Sequence, residues 1–141
     1  INNFIQQSNI NNYSIHNFED FYKDNPREIS KCYSDCLGNF ISNLYLKTEY
    51  IFIDNPNIQY WEYENYIILG KAHNYKIVII DIECPDIKYI DLFKERCNTN
   101  KGNNFISRRN ILNMYERWEE NYDSYKIDPY IEMDLILHSN N

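Results

Sequence analysis

Tyr75-Lys76-Ile77-Val78-Ile79-Ile80-Asp81 is the most apolar stretch of the chain, and the predicted fold is built outward from it. Its β-branched residues favour a strand, which we extend to Glu83, and Pro85 ends it because proline cannot donate to a sheet. Other β-rich segments of similar length lie on both sides of this stretch. They are Tyr50–Asp54, Ile58–Tyr63, Tyr66–Leu69 and Lys88–Phe93.

Short turns join these segments. Asn55-Pro56-Asn57 and the loop Gly70–Asn74 contain the residue types that stop strands and reverse the chain. Connections of this length suit antiparallel neighbours, because parallel strands need a crossover of about a dozen residues or more. The pattern therefore predicts an antiparallel meandering sheet of about 5 strands over residues 50–93.

Helical patterns flank the predicted sheet. Asn25-Pro26 is a helix start, and the apolar residues that follow recur at helical spacing to about residue 46. Ser107 caps a second helix over about 107–124, whose apolar stripe is Ile111, Tyr115, Trp118 and Tyr122. We expect an α+β fold, with a flexible arm over residues 1–16 and a single domain over 17–141. The type of the last element, residues 130–138, stays open.

Composition excludes several classes of function. The 141 residues carry 14 Lys and Arg against 21 Asp and Glu, a net charge of −7, which argues against direct nucleic-acid binding. The 43% hydrophobic fraction excludes an acidic disordered tail, and no apolar run approaches the roughly 18–20 residues that span a bilayer. The 3 glycines exclude a glycine-rich phosphate loop, so asparagine must occupy many turns with positive φ.

The cysteines lack the paired spacing of a zinc site, and they are Cys32, Cys36, Cys84 and Cys97. Cys32 and Cys36 fall on the apolar helix stripe, which favours inert packing. Cys84 could act as a nucleophile with His73 as its base, and the other histidines are His16 and His138. Two disulfides are also possible, but without a secretory segment we expect an intracellular, cytoplasmic protein. A signal peptide already removed stays an alternative.

Residues 60–66, Tyr-Trp-Glu-Tyr-Glu-Asn-Tyr, interleave aromatic and acidic side chains. Tyrosine and tryptophan are enriched at interface hot spots, and the acids would favour a basic protein partner. An ordinary strand, with its aromatics facing the core and its acids facing water, predicts the same alternation. Both interpretations stay open.

Asp81-Ile82-Glu83 offers a catalytic alternative. A strand that ends in D-x-E places two carboxylates on one face, as some two-metal exonucleases do, so a small metal-dependent nuclease could use Asp81 and Glu83. Such a site needs further carboxylates, and the remaining candidates, Asp123, Asp128 and Asp134, lie in poor contexts for that role. The simpler interpretation is that both acids are solvent-facing ends of a strand.

The stretch from Tyr50 to about Tyr125 resembles the SUKH superfamily of immunity and regulatory proteins. Trp61 precedes a segment that leads to Ile68-Leu69-Gly70, and Tyr75–Asp81 looks like the family's apolar strand ending in Asp. Asn103-Asn104-Phe105-Ile106-Ser107 then opens the last helix, as the corresponding phrase does in the family. The family's usual Leu-Pro-x-x-Tyr/Phe helix phrase is missing from the first half.

The resemblance implies an α+β fold and a binding function with no cofactor. Members act as immunity proteins against polymorphic toxins, many of them nucleases, or as regulatory interaction domains. Together with the acidic charge, this predicts a non-enzymatic module that binds a basic protein, with a nuclease toxin as one candidate. A virus- or host-interaction regulatory domain of a larger protein is the alternative. From charge and exposure, the expected contact residues are Trp61, Glu62, Glu64, Glu83 and Glu119.

Overall fold

A computed structural model describes residues 1–22, 28–82, 87, 90, 94 and 107–127, without the side chains of residues 3 and 22. In chain order the elements are α1 (Asn2–Gln7), β1 (Tyr13–His16), α2 (Glu19–Tyr22), α3 (Ile29–Tyr45), β2 (Tyr50–Ile53), α4 (Tyr60–Ala72), β3 (Ile80–Ile82), α5 (Arg108–Arg117) and β4 (Tyr125–Ile127). Two compact units divide the chain. The first is Ile1–Asn57 with Tyr63–Ile77, and the second is Ile58–Glu62 with Val78–Asn141.

In the first unit, β1 and β2 form a two-stranded parallel sheet in which His16 lies opposite Ile53. The N–H of Tyr50 donates to the carbonyl of Asn12 at 3.1 Å, and the N–H of Asp54 donates to the carbonyl of His16 at 2.9 Å. These bonds extend the pairing at both ends. Because α2 and α3 lie between the two strands in the sequence, the arrangement is a β–α–β unit, the usual connection between parallel strands.

The predicted antiparallel meander is wrong. The described residues of the 50–93 range form strands at 50–53 and 80–82, and each pairs in parallel with a segment from outside that range. Within the quoted apolar stretch, Ile80 and Asp81 are in a strand, whereas residues 75–79 have no regular structure. Of the predicted strand Lys88–Phe93 the structure describes Ile90 alone, which is helical and buried.

The second unit contains the other sheet, in which β3 pairs in parallel with β4 and Asp81 lies opposite Lys126. The sequence could not identify this pairing, because the residues of a strand do not by themselves specify its neighbour. Both true partners, residues 13–16 and 125–127, are also too short to form a clear alternating pattern.

Helix α4 replaces the strands predicted between residues 58 and 69, and it continues through the predicted loop to Ala72. The aromatic residues alternate at a period of two, but Tyr63, Tyr66 and Gly70 also have the i, i+3, i+7 spacing of one helix face. The structure follows the helical period: Tyr66 and Gly70 are buried, and Tyr63 packs against the same core. The strand prediction was wrong because it followed the two-residue alternation of the aromatic residues, whereas burial follows the helical spacing.

Helix α3 supplies most of the core of the first unit. It occupies residues 29–45, within the predicted range of about 26–46, and Gly38 does not interrupt it. Its buried residues repeat every four positions, and they are Cys32, Cys36, Phe40 and Leu44. The rings of Phe40 and Tyr66 meet edge to face, with centroids 5.0 Å apart. Full burial of a side chain such as that of Phe40 contributes about 1.5–3 kcal/mol.

A buried polar network surrounds Cys36. Its Sγ accepts hydrogen bonds from the Tyr66 hydroxyl at 3.6 Å and from Asn55 Nδ2 at 3.7 Å. The other amide atom, Asn55 Oδ1, accepts from the N–H of Phe18 at 2.9 Å. Burial raises the pKa of the Tyr66 phenol well above its ordinary value, and the bond to Cys36 adds to this. The network therefore joins four segments of the unit, those that contain Phe18, Cys36, Asn55 and Tyr66.

Asparagine occupies several backbone positions with positive φ, as the low glycine content predicts. Asn9, Asn57 and Asn74 have φ values of 52°, 48° and 64°, and Lys47 has 57°. After α3, the N–H of Thr48 donates to the carbonyl of Asn43 at 3.1 Å, which makes Lys47 the left-handed residue of a Schellman motif. Such a residue satisfies the last carbonyls of a helix at the cost of a strained backbone when it has a Cβ.

In the second unit, α5 begins as predicted and ends early. The hydroxyl of Ser107 accepts from the N–H of Asn110 at 3.2 Å, which confirms it as the cap. The helix stops at Arg117, before the predicted end at about residue 124, and Trp118 is extended, with φ −61° and ψ 130°. The N–H of Glu119 instead donates to the carbonyl of Ile58 at 2.9 Å, and this bond draws the chain away from the helical path.

Residues 1–16, predicted as a flexible arm, contain α1 and β1. Ile5 is buried, and the ring of Phe4 meets that of Phe52 edge to face with centroids 6.2 Å apart. The division into an arm and a single domain over 17–141 stays a prediction. What the structure adds is that residues 13–16 form half of a sheet.

Candidate functional site

The aromatic and acidic stretch lies at the beginning of α4. Tyr60 and Trp61 are its first two residues, and their side chains are 46% and 62% exposed. Both belong to the second unit. A tryptophan this exposed leaves a large apolar surface in water, and tryptophan is the residue type most enriched at binding hot spots.

Glu62 caps the helix that it belongs to. Its Oε2 accepts from the N–H of Ile58 at 2.5 Å and from the N–H of Gln59 at 3.1 Å. This is the reciprocal half of a capping box, in which the third helical residue reaches back to the residue before the helix. The other oxygen, Oε1, lies 3.6 Å from Nη2 of Arg117. Glu62 therefore has a structural role in addition to its charge.

Glu119 caps the same helix from the segment that follows α5. Its Oε2 accepts from the N–H of Tyr60 at 2.8 Å, and its Oε1 accepts from Nε2 of Gln59 at 3.2 Å. Its own N–H donates to the carbonyl of Ile58 at 2.9 Å. The negative carboxylate also suits the partial positive charge of a helix N-terminus. Three hydrogen bonds thus fasten the 117–119 segment to the start of α4.

These contacts define a surface that we call the Trp61 surface, formed by Tyr60, Trp61, Glu62, Trp118 and Glu119. Trp118 precedes the capping glutamate and is 41% exposed. The backbone under this surface is held by hydrogen bonds from both segments, whereas its aromatic residues are between 41% and 62% exposed. The surface combines aromatic rings and carboxylates on a backbone that hydrogen bonds hold in place.

Three of the five predicted contact residues meet here: Trp61, Glu62 and Glu119. Glu64 is half-buried in the part of α4 that belongs to the first unit, and Glu83 lies outside the described residues. The prediction did not include Tyr60, Trp118 or Arg117. The sequence pattern places Trp118 on the apolar stripe of a helix, where it would face the core. The start of α4 could have been recognised from Glu62, which lies three residues after Gln59, the spacing of a capping box.

For the predicted metal site of Asp81 and Glu83, the structure describes only one of the two carboxylates. Asp81 is half-buried on β3, and its proposed partner Glu83 lies outside the described residues. Within the described ranges, no group of three or more His, Cys, Asp or Glu side chains is arranged to hold a metal ion.

For the predicted Cys–His pair, the structure describes some of the candidate residues and not the others. Cys32 and Cys36 are buried thiols on the core face of α3, as their position on the apolar stripe predicts. His16 is buried in the first unit, and burial lowers its pKa, an effect that the nearby Asp20 opposes in part. The ring of His73 meets that of Tyr45 edge to face at 5.1 Å. The other members, Cys84, Cys97 and His138, lie outside the described residues.

No helix in the part of the chain that the structure describes is long and apolar enough to cross a membrane. The chain matches no protein-family model, no curated protein and no solved structure.

Proposed function

We propose that this protein is a non-enzymatic binding module that uses the Trp61 surface to bind a basic protein partner in the cytoplasm. One observation carries the proposal: Trp61 is 62% exposed, although the backbone on which it stands is fixed by hydrogen bonds to Glu62 and Glu119. An exposed ring on a loose segment would lose conformational freedom on binding. A ring on a fixed helix start avoids much of that loss.

The charge of the chain favours a basic partner. The net charge is −7, and residues 116–123 contain four acids, Glu116, Glu119, Glu120 and Asp123, against one base, Arg117. Acidic patches raise the rate at which basic proteins associate, and this effect weakens as salt screens the charges. The aromatic rings would supply the contact area, and the acids would supply steering and register.

A nuclease toxin is the partner class that best fits these features. Nucleases expose basic clefts that bind phosphates, and an acidic binder can occupy the same track. The resemblance to the SUKH superfamily implies the same function, and membership of that superfamily is part of the proposal. In that resemblance Trp61 precedes a strand, whereas in the structure it lies in the first turn of α4. The thiols of Cys32 and Cys36 agree with a reducing compartment.

The test is a titration with purified basic nuclease domains from bacterial toxins, followed by calorimetry. We expect Trp61→Ala to weaken the binding of a cognate domain by about tenfold or more, as truncation of a hot-spot residue does. Raising the salt from about 50 to 500 mM should weaken the binding of the unmodified protein, because exposed charges are screened.

Tyr45→Ala is the matched control. Tyr45 is an exposed aromatic residue of the first unit, so its removal should leave the affinity unchanged. Equal losses from Trp61→Ala and Tyr45→Ala, or binding that does not respond to salt, would exclude the Trp61 surface as the binding site.

A further inference from the structure

We infer that the group recognised at the Trp61 surface is an arginine guanidinium of the partner, and that Arg117 occupies its place in the unbound protein. The inference rests on the proposed function and names the chemistry that the surface selects. It follows from the different hydrogen-bond partners of the Glu62 and Glu119 carboxylates and from the exposed aromatic residues of the same surface.

The two carboxylate oxygens of Glu62 have different partners. Its Oε2 accepts two backbone N–H groups, whereas Oε1 lies 3.6 Å from Arg117 Nη2, beyond the ordinary length of a hydrogen bond. The Glu62 side chain is 22% exposed, so this oxygen is partly withdrawn from water. Such an acceptor gains more from a close cation than an oxygen in open solvent does.

Glu119 differs, because both of its oxygens already accept hydrogen bonds, from the Tyr60 N–H and from Gln59 Nε2. A partner can therefore engage Glu62 Oε1 without breaking any of the hydrogen bonds that cap α4. Glu119 contributes its charge and fixes the start of the helix.

Arg117 is held only weakly in this place. Its side chain is 56% exposed, and the single ion pair that joins it to Glu62 is long. Exposed ion pairs of this kind contribute little to stability, so an incoming guanidinium can displace Arg117 at small cost. The displaced side chain can return to water, and the charge on Glu62 remains balanced.

The exposed rings favour arginine over lysine. Trp61 is the sequence neighbour of Glu62, and Trp118 is the sequence neighbour of Arg117; both rings are exposed and belong to the same surface, so they are available to a bound guanidinium. A planar guanidinium can stack on an indole ring while its N–H groups reach a carboxylate. A lysine ammonium offers the same charge without that fork, so the surface should distinguish the two cations.

The experiment uses the full chain and two synthetic eight-residue peptides of equal charge, one with arginine and the other with lysine at every charged position. Binding is followed by the fluorescence of Trp61 and Trp118, the 2 tryptophans of the chain. We expect the arginine peptide to bind the unmodified protein about tenfold more tightly, given the added stacking and forked hydrogen bonds.

Arg117→Gln should raise the affinity for the arginine peptide, because it removes the internal competitor. Arg109→Gln is the matched control, since Arg109 is an exposed arginine in the first turn of the same helix and the change in charge is identical. A gain about threefold larger for Arg117→Gln than for Arg109→Gln is expected from the loss of one exposed ion pair. Glu62→Gln should abolish the preference for arginine, and its glutamine oxygen can still cap the helix.

Equal binding of the two peptides, or equal gains from Arg117→Gln and Arg109→Gln, would overturn the inference. If a nuclease domain still bound through Trp61 in that case, the proposed function would stand and only the assignment of the guanidinium would fall. If neither the peptides nor any basic domain bound, both would fall.

Discussion

The backbone N–H of Tyr60 donates to the carboxylate of Glu119 at 2.8 Å, so a residue beyond the end of α5 caps the first turn of α4. Two segments far apart in the sequence are joined by this bond and by the backbone bond from Glu119 to Ile58. We expect Glu119→Ala to lower the free energy of unfolding by about 1 kcal/mol, the usual cost of losing a side-chain cap. Urea unfolding measures the change.

Glu116→Ala is the comparison for that prediction. Glu116 is an exposed acid on α5, and its removal changes the net charge by the same amount. A loss of stability in both variants would show that the negative charge matters, and the cap would then not explain the effect of Glu119→Ala.

Two glycines on helices should respond differently to alanine. Around Gly38 there is open space, so Gly38→Ala should raise the free energy of unfolding by about 0.5–1 kcal/mol through helix propensity alone. A Cβ on Gly70 would lie 2.7 Å from Ile77 Cδ1, which must move to admit it. Gly70→Ala should therefore lose most or all of that gain. Thermal unfolding of the two variants tests this, and an equal gain at both sites would contradict the packing described around Gly70.

The left-handed residue after α3 is a site where stability can be increased. Lys47 has φ 57° and carries a Cβ, whereas the equivalent residues after α1 and α4 are Asn9 and Asn74. Asparagine tolerates this conformation better than lysine does, so Lys47→Asn should raise the free energy of unfolding by about 0.5 kcal/mol. Lys71→Asn, inside the last turn of α4, should instead lower stability, because asparagine is a weaker helix former. A loss at position 47 measured by urea unfolding would contradict the Schellman assignment.

Acid should destabilise the first unit through His16. Burial lowers the pKa of His16 below its ordinary value of 6.5, and Asp20 only partly offsets this. The unfolded chain therefore binds a proton more readily than the folded protein does. The stability that this group contributes is present above pH 6.5 and is lost as the pH falls toward the folded-state pKa.

His16→Gln tests the origin of that slope. Glutamine does not titrate and can still approach Ser14 Oγ, which lies 3.0 Å from His16 Nε2. We expect urea unfolding between pH 5 and 8, a range of about three units around the ordinary histidine pKa, to show a flatter profile for the variant. Identical profiles would assign the acid sensitivity to other groups.

Local chemistry explains which parts of the fold could be predicted. The Ser107 cap, the four-residue spacing of Cys32 and Cys36, and asparagine at positive φ all depend on a few neighbouring residues, and the structure contains all three. The sheets depend on partners far away in the sequence, and β1 and β4 are too short for a pattern to reveal them. Local patterns therefore located α3 and the start of α5, but they could not specify strand direction or pairing.

The candidate site also combines features that residue type predicts with an arrangement that depends on the fold. Trp61, Glu62 and Glu119 could be chosen from residue type and charge. Their arrangement could not, because it depends on whether residues 60–72 form a strand or a helix. As a strand, the acids would have faced water as a row; in the helix, Glu62 and Glu119 hold its first turn and leave Trp61 exposed.

The parallel pairing of β1 with β2 has a consequence for any shortened form of this protein. A chain that begins after His16 would present β2 without its neighbour, and the unsatisfied backbone groups of that edge would seek a substitute. An exposed strand edge pairs readily with other chains, so the shortened form should self-associate. Proteolytic removal of residues 1–16 would thus change the association state of the protein.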